Sequence, residues 1–81
     1  MRVRVLYFAG VRDVVGRDEE TCELPREIAT VADFARWIGA ERALGERMTS
    51  VRIARNERFA EPSEGLAEGD VLALIPPVAG G

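Results

Sequence analysis

The residues best suited to chemistry are those at 75–81, with the sequence IPPVAGG. Two successive prolines cannot donate ladder hydrogen bonds and keep the preceding residues out of the helical region, so they would end a strand and hold the chain extended. Two glycines have no side chains, which suits a segment that enters a narrow channel. The six residues at 76–81 could span about 20 Å. The pattern predicts a carrier arm that reaches into another protein, with threading residues Pro76, Pro77, Val78, Ala79 and Gly80.

The group at the tip of this arm would be the carboxylate of Gly81. A carboxylate is a poor electrophile, so it must be activated, for example as an acyl-adenylate, before a nucleophile attacks it. A sulfur nucleophile would then leave a thiocarboxylate that can pass its sulfur on. This would be covalent catalysis divided between proteins, with Gly81 as the reactive residue. The alternative is a chain end whose glycines have no role, because termini tolerate change.

Composition argues against a complete catalytic apparatus on this chain. Among its 81 residues there is one Cys and neither His nor Lys, so the usual general base, a Schiff-base amine and a cysteine metal cluster are all missing. The net charge of −3 without a basic cluster argues against nucleic-acid binding. No apolar segment approaches membrane-spanning length. We expect one cytoplasmic domain that binds neither a metal nor a membrane.

Alternating apolar residues predict a strand near each end of the chain. Residues 71–75 are apolar on both faces, as in a central strand or one that meets a partner. Residues 2–8 alternate with period two, so one face would hold Val3, Val5 and Tyr7 and the other Leu6 and Phe8. We expect the first face to meet the core and the two strands to lie side by side in the centre of a sheet.

One main helix is predicted between these strands. It would begin at Thr30, with Asp33 in the position of a capping-box partner. Its apolar face, at helical spacing, would consist of Val31, Phe34, Ala35 and Ile38. A shorter helical turn closed by Gly16 would precede it.

Three further strands complete the predicted sheet. Residues 20–24 would direct Cys22 toward the core, and residues 51–55 would expose Arg52 and Arg55. A turn at Asn56 would lead into a short return strand at 58–60. The order indicates an α+β fold, with a mixed sheet of about five strands packed on one main helix. The domain would span 1–75 and the flexible arm 76–81.

The chain resembles the MoaD family, the small subunits of molybdopterin synthase. The resemblance covers essentially the whole chain, with Ala79 where the family often has Ser or Thr. The related thiamine-pathway carrier is shorter and usually lacks Pro-Pro-Val before its diglycine. The matching residues are the opening segment 3–16, Thr30-Val31, Asn56, and Leu66-x-x-Gly69-Asp70 followed by PPVAGG at 76–81.

The resemblance implies a β-grasp, ubiquitin-like fold and the role of a sulfur carrier. An E1-like enzyme of the MoeB type would use ATP to adenylate Gly81, and a sulfur donor protein would supply the sulfur of a thiocarboxylate. The arm would insert into a large subunit of the MoaE type, where sulfur passes to cyclic pyranopterin monophosphate and forms the dithiolene of molybdopterin. The pterin site and its catalytic side chains would lie on that large subunit. The expected assembly is a heterotetramer of two small and two large subunits, without a permanently bound cofactor in the small subunit.

Docking to the large subunit would need an apolar surface beside the arm. The candidates are Phe8, Phe59 and Ile75, because apolar and aromatic residues supply most of the affinity at the centre of an interface. Ordinary core packing is the alternative for each of them.

Two other functions stay open. The chain could carry sulfur for tRNA thiolation, thiamine or cysteine synthesis, or be a ubiquitin-like modifier attached to lysines. It could also be a β-grasp interaction domain with an inert arm.

Overall fold

The computed structural model describes residues 1–77, which form a five-stranded mixed sheet packed on one main helix. The strands are β1 (Arg2–Tyr7), β2 (Glu19–Glu23), β3 (Arg52–Arg55), β4 (Arg58–Phe59) and β5 (Val71–Ile75). Their order across the sheet is β2-β1-β5-β3-β4. β1 and β5 are parallel, and all other neighbours are antiparallel. This is the predicted β-grasp architecture, with the first and last strands side by side.

Two α-helices connect the strands. α1 (Ala9–Val15) ends at Gly16, whose φ of 85° is the left-handed conformation typical of a helix C-terminus. α2 (Val31–Glu41) is followed by a 3₁₀ helix (Gly45–Thr49). The predicted capping box is confirmed: Thr30 Oγ1 accepts from the Asp33 N–H and Asp33 Oδ2 from the Thr30 N–H, both at 3.1 Å. No helix within residues 1–77 is long and apolar enough to cross a membrane.

The core lies between α2 and one face of the sheet. β1 contributes its odd-numbered residues to this face, as predicted, and Cys22 of β2 lies there too. Phe34 and Ile38 of α2 are fully buried against them. The largest fully buried side chains are Tyr7, Phe34, Ile38, Leu44, Leu72, Leu74, Val3, Val5 and Val11.

The structure corrects two details of the sequence interpretation. Arg55 was expected to be exposed, but it is half-buried: it pairs with Leu72 in the β3–β5 register, on the core face of the sheet. The charged guanidinium of Arg55 is tolerated on this face because it donates a hydrogen bond to the buried carboxylate of Asp70. Phe8 lies just after β1 rather than in it, as the N-cap residue of α1.

Candidate functional site

One row of four residues crosses the sheet on the face opposite α2. The strand register pairs Leu6 with Ala73, Ala73 with Ala54, and Ala54 with Phe59. Directly paired residues on neighbouring strands point to the same face, so these four side chains are successive neighbours. Along the row, a large side chain at each end encloses two small ones. The two alanines therefore form a floor between the walls made by Leu6 and Phe59.

An open apolar groove of about 230 Å³ lies above this floor. Phe8 and Phe59 are 44% and 54% exposed, more than any other large apolar side chain among residues 1–77. Ile75 is half-buried at the end of β5. The groove brings together all three predicted docking residues, and its full lining is Leu6, Phe8, Ala54, Glu57, Phe59, Val71, Ala73 and Ile75.

The sequence interpretation did not include Leu6, Ala54 and Ala73 in this surface. Leu6 could have been found, because it has the same strand parity as Phe8. The two alanines could not, because their meeting depends on the register between β3 and β5, which the sequence pattern does not fix.

Arg52 brings positive charge to the rim of the groove. Its guanidinium carbon lies 3.8 Å from the centroid of the Phe59 ring, a cation–π contact. The backbone of Arg52 pairs with Ile75 in the β3–β5 register, beside the residue from which the arm departs. Glu57 contributes a carboxylate to another part of the lining.

The arm begins where β5 ends. β5 ends at Ile75, so the two prolines follow the strand directly, as predicted. Pro76 is half-buried and Pro77 is exposed. The remaining predicted site residues, Val78, Ala79, Gly80 and Gly81, lie outside the described residues. Within 1–77, no three His, Cys, Asp or Glu side chains are grouped so that they could hold a metal ion.

Asp70 ties the turn between β3 and β4 to the start of β5. Its carboxylate, 5% exposed, accepts hydrogen bonds from Arg55 Nε at 2.7 Å, Asn56 Nδ2 at 2.9 Å and the Ala67 N–H at 2.8 Å. Burial by itself would raise the pKa of Asp70, but the hydrogen bonds from these three donors outweigh it and hold the pKa below its usual value. Asp70 is therefore a buried, ionised carboxylate next to the groove.

A second hydrogen-bonded carboxylate, that of the half-buried Glu20, lies in a separate cluster. It accepts two hydrogen bonds from Arg42 and one from the Tyr7 hydroxyl, and Arg17 lies 3.4 Å away. The bonds from Arg42 are the largest cause of its lowered pKa. Burial and the neighbouring Glu20 raise the pKa of Tyr7. The cluster joins β1, β2 and the end of α2, and none of its side chains lines the groove.

The single cysteine is a core residue. Cys22 is 5% exposed, and burial is the largest cause of the raised pKa of its thiol. A buried thiol with a raised pKa forms little thiolate, which is the nucleophilic species. The predicted core position is confirmed, and the thiol is poorly placed to carry sulfur.

Comparisons with known proteins place the chain in a family. The ThiS family profile matches residues 5–81. A relative from Chlamydomonas reinhardtii, named molybdopterin synthase sulfur carrier subunit, is 40% identical over 83 residues, and the match covers 100% of both chains. The full-length match means that the groove and the arm both fall within the shared region.

Two solved structures have the same fold. SAMP1 from Haloferax volcanii superposes with a TM-score of 0.83 at 31% identity, and the match covers 100% of both chains. A protein–protein complex of subunits 1 and 2 of molybdopterin-converting factor from Helicobacter pylori contains a chain with a TM-score of 0.71 at 23% identity, again covering 100% of each chain. The second likeness shows the fold alone. The family profile over residues 5–81 and the full-length match to a relative that is 40% identical lead to one conclusion: this chain belongs to the ThiS family.

Proposed function

We propose that this chain is the sulfur carrier subunit of a molybdopterin synthase. The observation that carries the proposal is the position of the apolar groove, because its lining residue Ile75 is the last residue of β5 before the arm. A partner that covers the groove thereby receives the arm. The relative of the same length from Chlamydomonas reinhardtii, named for this role, supports the assignment.

The large subunit of the synthase docks on the groove. Phe8 and Phe59 bury their exposed ring surface there, and burial of apolar area and of aromatic anchors is what stabilises the centre of an interface. Arg52 adds a charge on the rim, where complementary charge on the partner increases the rate of association. The Chlamydomonas reinhardtii relative, which is named a subunit of molybdopterin synthase, is consistent with such a partner. The assembly contains two small and two large subunits.

The chemistry takes place at the Gly81 carboxyl group. An E1-like enzyme joins a carboxylate oxygen to the α-phosphate of ATP, and pyrophosphate leaves. A sulfur donor protein then supplies sulfur at the oxidation level of sulfide, which displaces AMP and leaves the thiocarboxylate. In the large subunit this sulfur forms a C–S bond with the pterin precursor and displaces an oxygen substituent from that carbon. Water then cleaves the resulting thioester, which leaves the sulfur on the pterin and restores the Gly81 carboxylate. The chain supplies the reactive end and the docking surface, while the side chains that act on the pterin belong to the large subunit.

A second candidate function is protein modification. SAMP1, small archaeal modifier protein 1, has the same fold, and the Haloferax volcanii chain is 31% identical. In this role the activated Gly81 would acylate a lysine of another protein. The printed sequence contains no lysine, so an isopeptide bond would join Gly81 to a different chain.

Reconstitution separates these functions. The purified chain is incubated with its activating enzyme, ATP and a sulfur donor, and its intact mass is measured. The large subunit and cyclic pyranopterin monophosphate are then added, and dithiolene formation is followed. We expect exchange of one oxygen for sulfur in the first step and dithiolene in the second.

Each alternative has its own result. Thiocarboxylate without dithiolene would favour a carrier for another pathway. Conjugates bearing a glycine-glycine remnant on lysines would favour the modifier. A chain whose mass never changes would leave only an interaction domain.

A further inference from the structure

We propose that Asp70 is a positioning residue that holds the docking surface in its binding-competent shape through Asn56. The proposal rests on the proposed function, because it concerns docking of the large subunit on the apolar groove. Asp70 touches neither the partner nor the reacting atoms. It acts through the turn that presents Phe59.

The hairpin that carries Phe59 has little support of its own. β4 consists of two residues, and its ladder with β3 contains two pairs, Ala54 with Phe59 and Arg55 with Arg58. Short two-stranded hairpins are marginally stable without further contacts. The position of the Phe59 wall therefore depends on what fixes the turn.

Asn56 and β5 fix this turn with a set of hydrogen bonds. The Asn56 N–H donates to the Val71 carbonyl at 2.8 Å, and the Val71 N–H donates to Asn56 Oδ1 at 2.9 Å. Because Oδ1 faces this donor, Nδ2 must point the other way, and it donates to Asp70 Oδ1 at 2.9 Å. The carboxylate thus sets the orientation of the amide, and the amide holds the turn against β5.

The same turn has a backbone conformation that few residues adopt. Asn56 and Glu57 have φ values of 51° and 72°, in the left-handed region where Asn is favoured among residues other than Gly. Glu57 and Val71 both line the groove, so the turn and the start of β5 close one of its ends. A displaced turn would change both that end and the Phe59 wall.

The pair formed by the exposed Asn56 and the buried Asp70 predicts an informative exchange of side chains. Every partner of the Asp70 carboxylate is a donor, so Asp70→Asn would place an amide nitrogen against Arg55, Asn56 or Ala67. Asn56→Asp would place two carboxylates face to face. In the double variant, the amide at position 70 donates to the carboxylate at 56, and its oxygen still accepts from Arg55 and Ala67. The hydrogen bond between positions 56 and 70 is thus restored with donor and acceptor exchanged, and the net charge of the chain is unchanged.

The test measures the affinity of the full-length variants for the large subunit by titration calorimetry, under conditions where circular dichroism shows each to be folded. We expect each single variant to lose about tenfold or more in affinity, as for one hydrogen bond to a charged group. The double variant should return to within about threefold of the parent. Because every variant is folded during the titration, recovery in the double variant assigns the change in affinity to the contact between positions 56 and 70.

Glu20→Gln is the matched control. It also replaces a hydrogen-bonded carboxylate by an amide, but the half-buried Glu20 lies in the cluster of Tyr7, Arg17 and Arg42 away from the groove. Its affinity should stay within about twofold of the parent, since distant sites act independently. If Asp70→Asn does not fold, Asn56→Gly takes its place, because Gly accepts the left-handed turn and removes only the side chain.

Three results would overturn the inference: a folded Asp70→Asn that docks like the parent, an Asn56→Gly that does so, or a folded double variant no tighter than the single ones. Phe59→Asp separates this failure from failure of the proposed function. If Phe59→Asp docks normally, the groove is not the docking surface and both ideas fall. If Phe59→Asp weakens docking and Asp70→Asn does not, only the role of Asp70 is lost.

Discussion

The guanidinium of Arg42 donates two hydrogen bonds to the carboxylate of Glu20, from Nε and from an Nη atom, each at 2.7 Å. This bidentate pair joins the end of α2 to β2. It is the largest cause of the lowered pKa of Glu20, so the folded state favours the ionised carboxylate.

The first prediction concerns pH. Because the pKa of Glu20 is lower in the folded than in the unfolded chain, its stabilising effect is complete above the unfolded pKa and is lost as pH falls through the folded value. Urea titrations between pH 3 and 7, about the range in which carboxylates titrate, should show a smaller acid-induced loss of unfolding free energy in Glu20→Gln than in the parent. Equal pH dependence in both proteins would contradict the assignment.

The second prediction separates the core thiol from the carrier chemistry. Cys22→Ala should lower the free energy of unfolding by about 1 kcal/mol, since a small buried group is lost. Sulfur loading at Gly81, read by intact mass, should be unchanged. Loss of loading in a folded Cys22→Ala would show that the thiol participates.

The third prediction concerns the tip of the arm. Deletion of Gly81, or addition of one residue after it, should leave the urea midpoint unchanged because the core lies within residues 1–77. Sulfur transfer in the reconstituted system should fall to background. A shortened chain that still transferred sulfur would rule out the thiocarboxylate mechanism.

The fourth prediction tests the groove. Phe59→Asp or Phe8→Asp should weaken large-subunit binding by about tenfold to hundredfold, because an aromatic anchor is lost and a charge is desolvated. Stability should change little, since both residues are already about half exposed. Val14→Asp is the control: Val14 is 39% exposed but lies outside the groove lining. Equal weakening in the control would indicate a charge effect unrelated to the groove.

The fifth prediction concerns the start of α2. Thr30→Ala removes the oxygen that accepts from the Asp33 N–H and should cost about 1 kcal/mol of unfolding free energy. Thr30→Ser keeps that oxygen and should cost less. Chemical denaturation of the three proteins measures both effects, and equal losses in the two variants would exclude the cap as the cause.

Patterns within single elements made most of the fold predictable. The alternation in β1, the capping box at Thr30 and the two-sided apolarity of β5 each depend on residues close in sequence, and the structure confirms all three. Exposure of Phe8 followed from the same alternation. Local patterns were sufficient wherever one element determined the outcome.

Features that depend on register could not be predicted in this way. The alanine floor requires Ala54 to face Ala73, two residues nineteen positions apart on strands whose alignment the sequence leaves open. The half-buried position of Arg55 on the core face depends on a carboxylate fifteen positions later. Long-range pairing decides both, and no periodicity in the sequence reports it.

The central position of β5 has a mechanical consequence. It has hydrogen-bonded neighbours on both sides, β1 in parallel and β3 in antiparallel orientation. A pull on the arm along the strand axis loads the bonds of both ladders in shear, all at once, instead of peeling them apart one by one. A partner can therefore put the arm under tension without unravelling the domain to which it is attached.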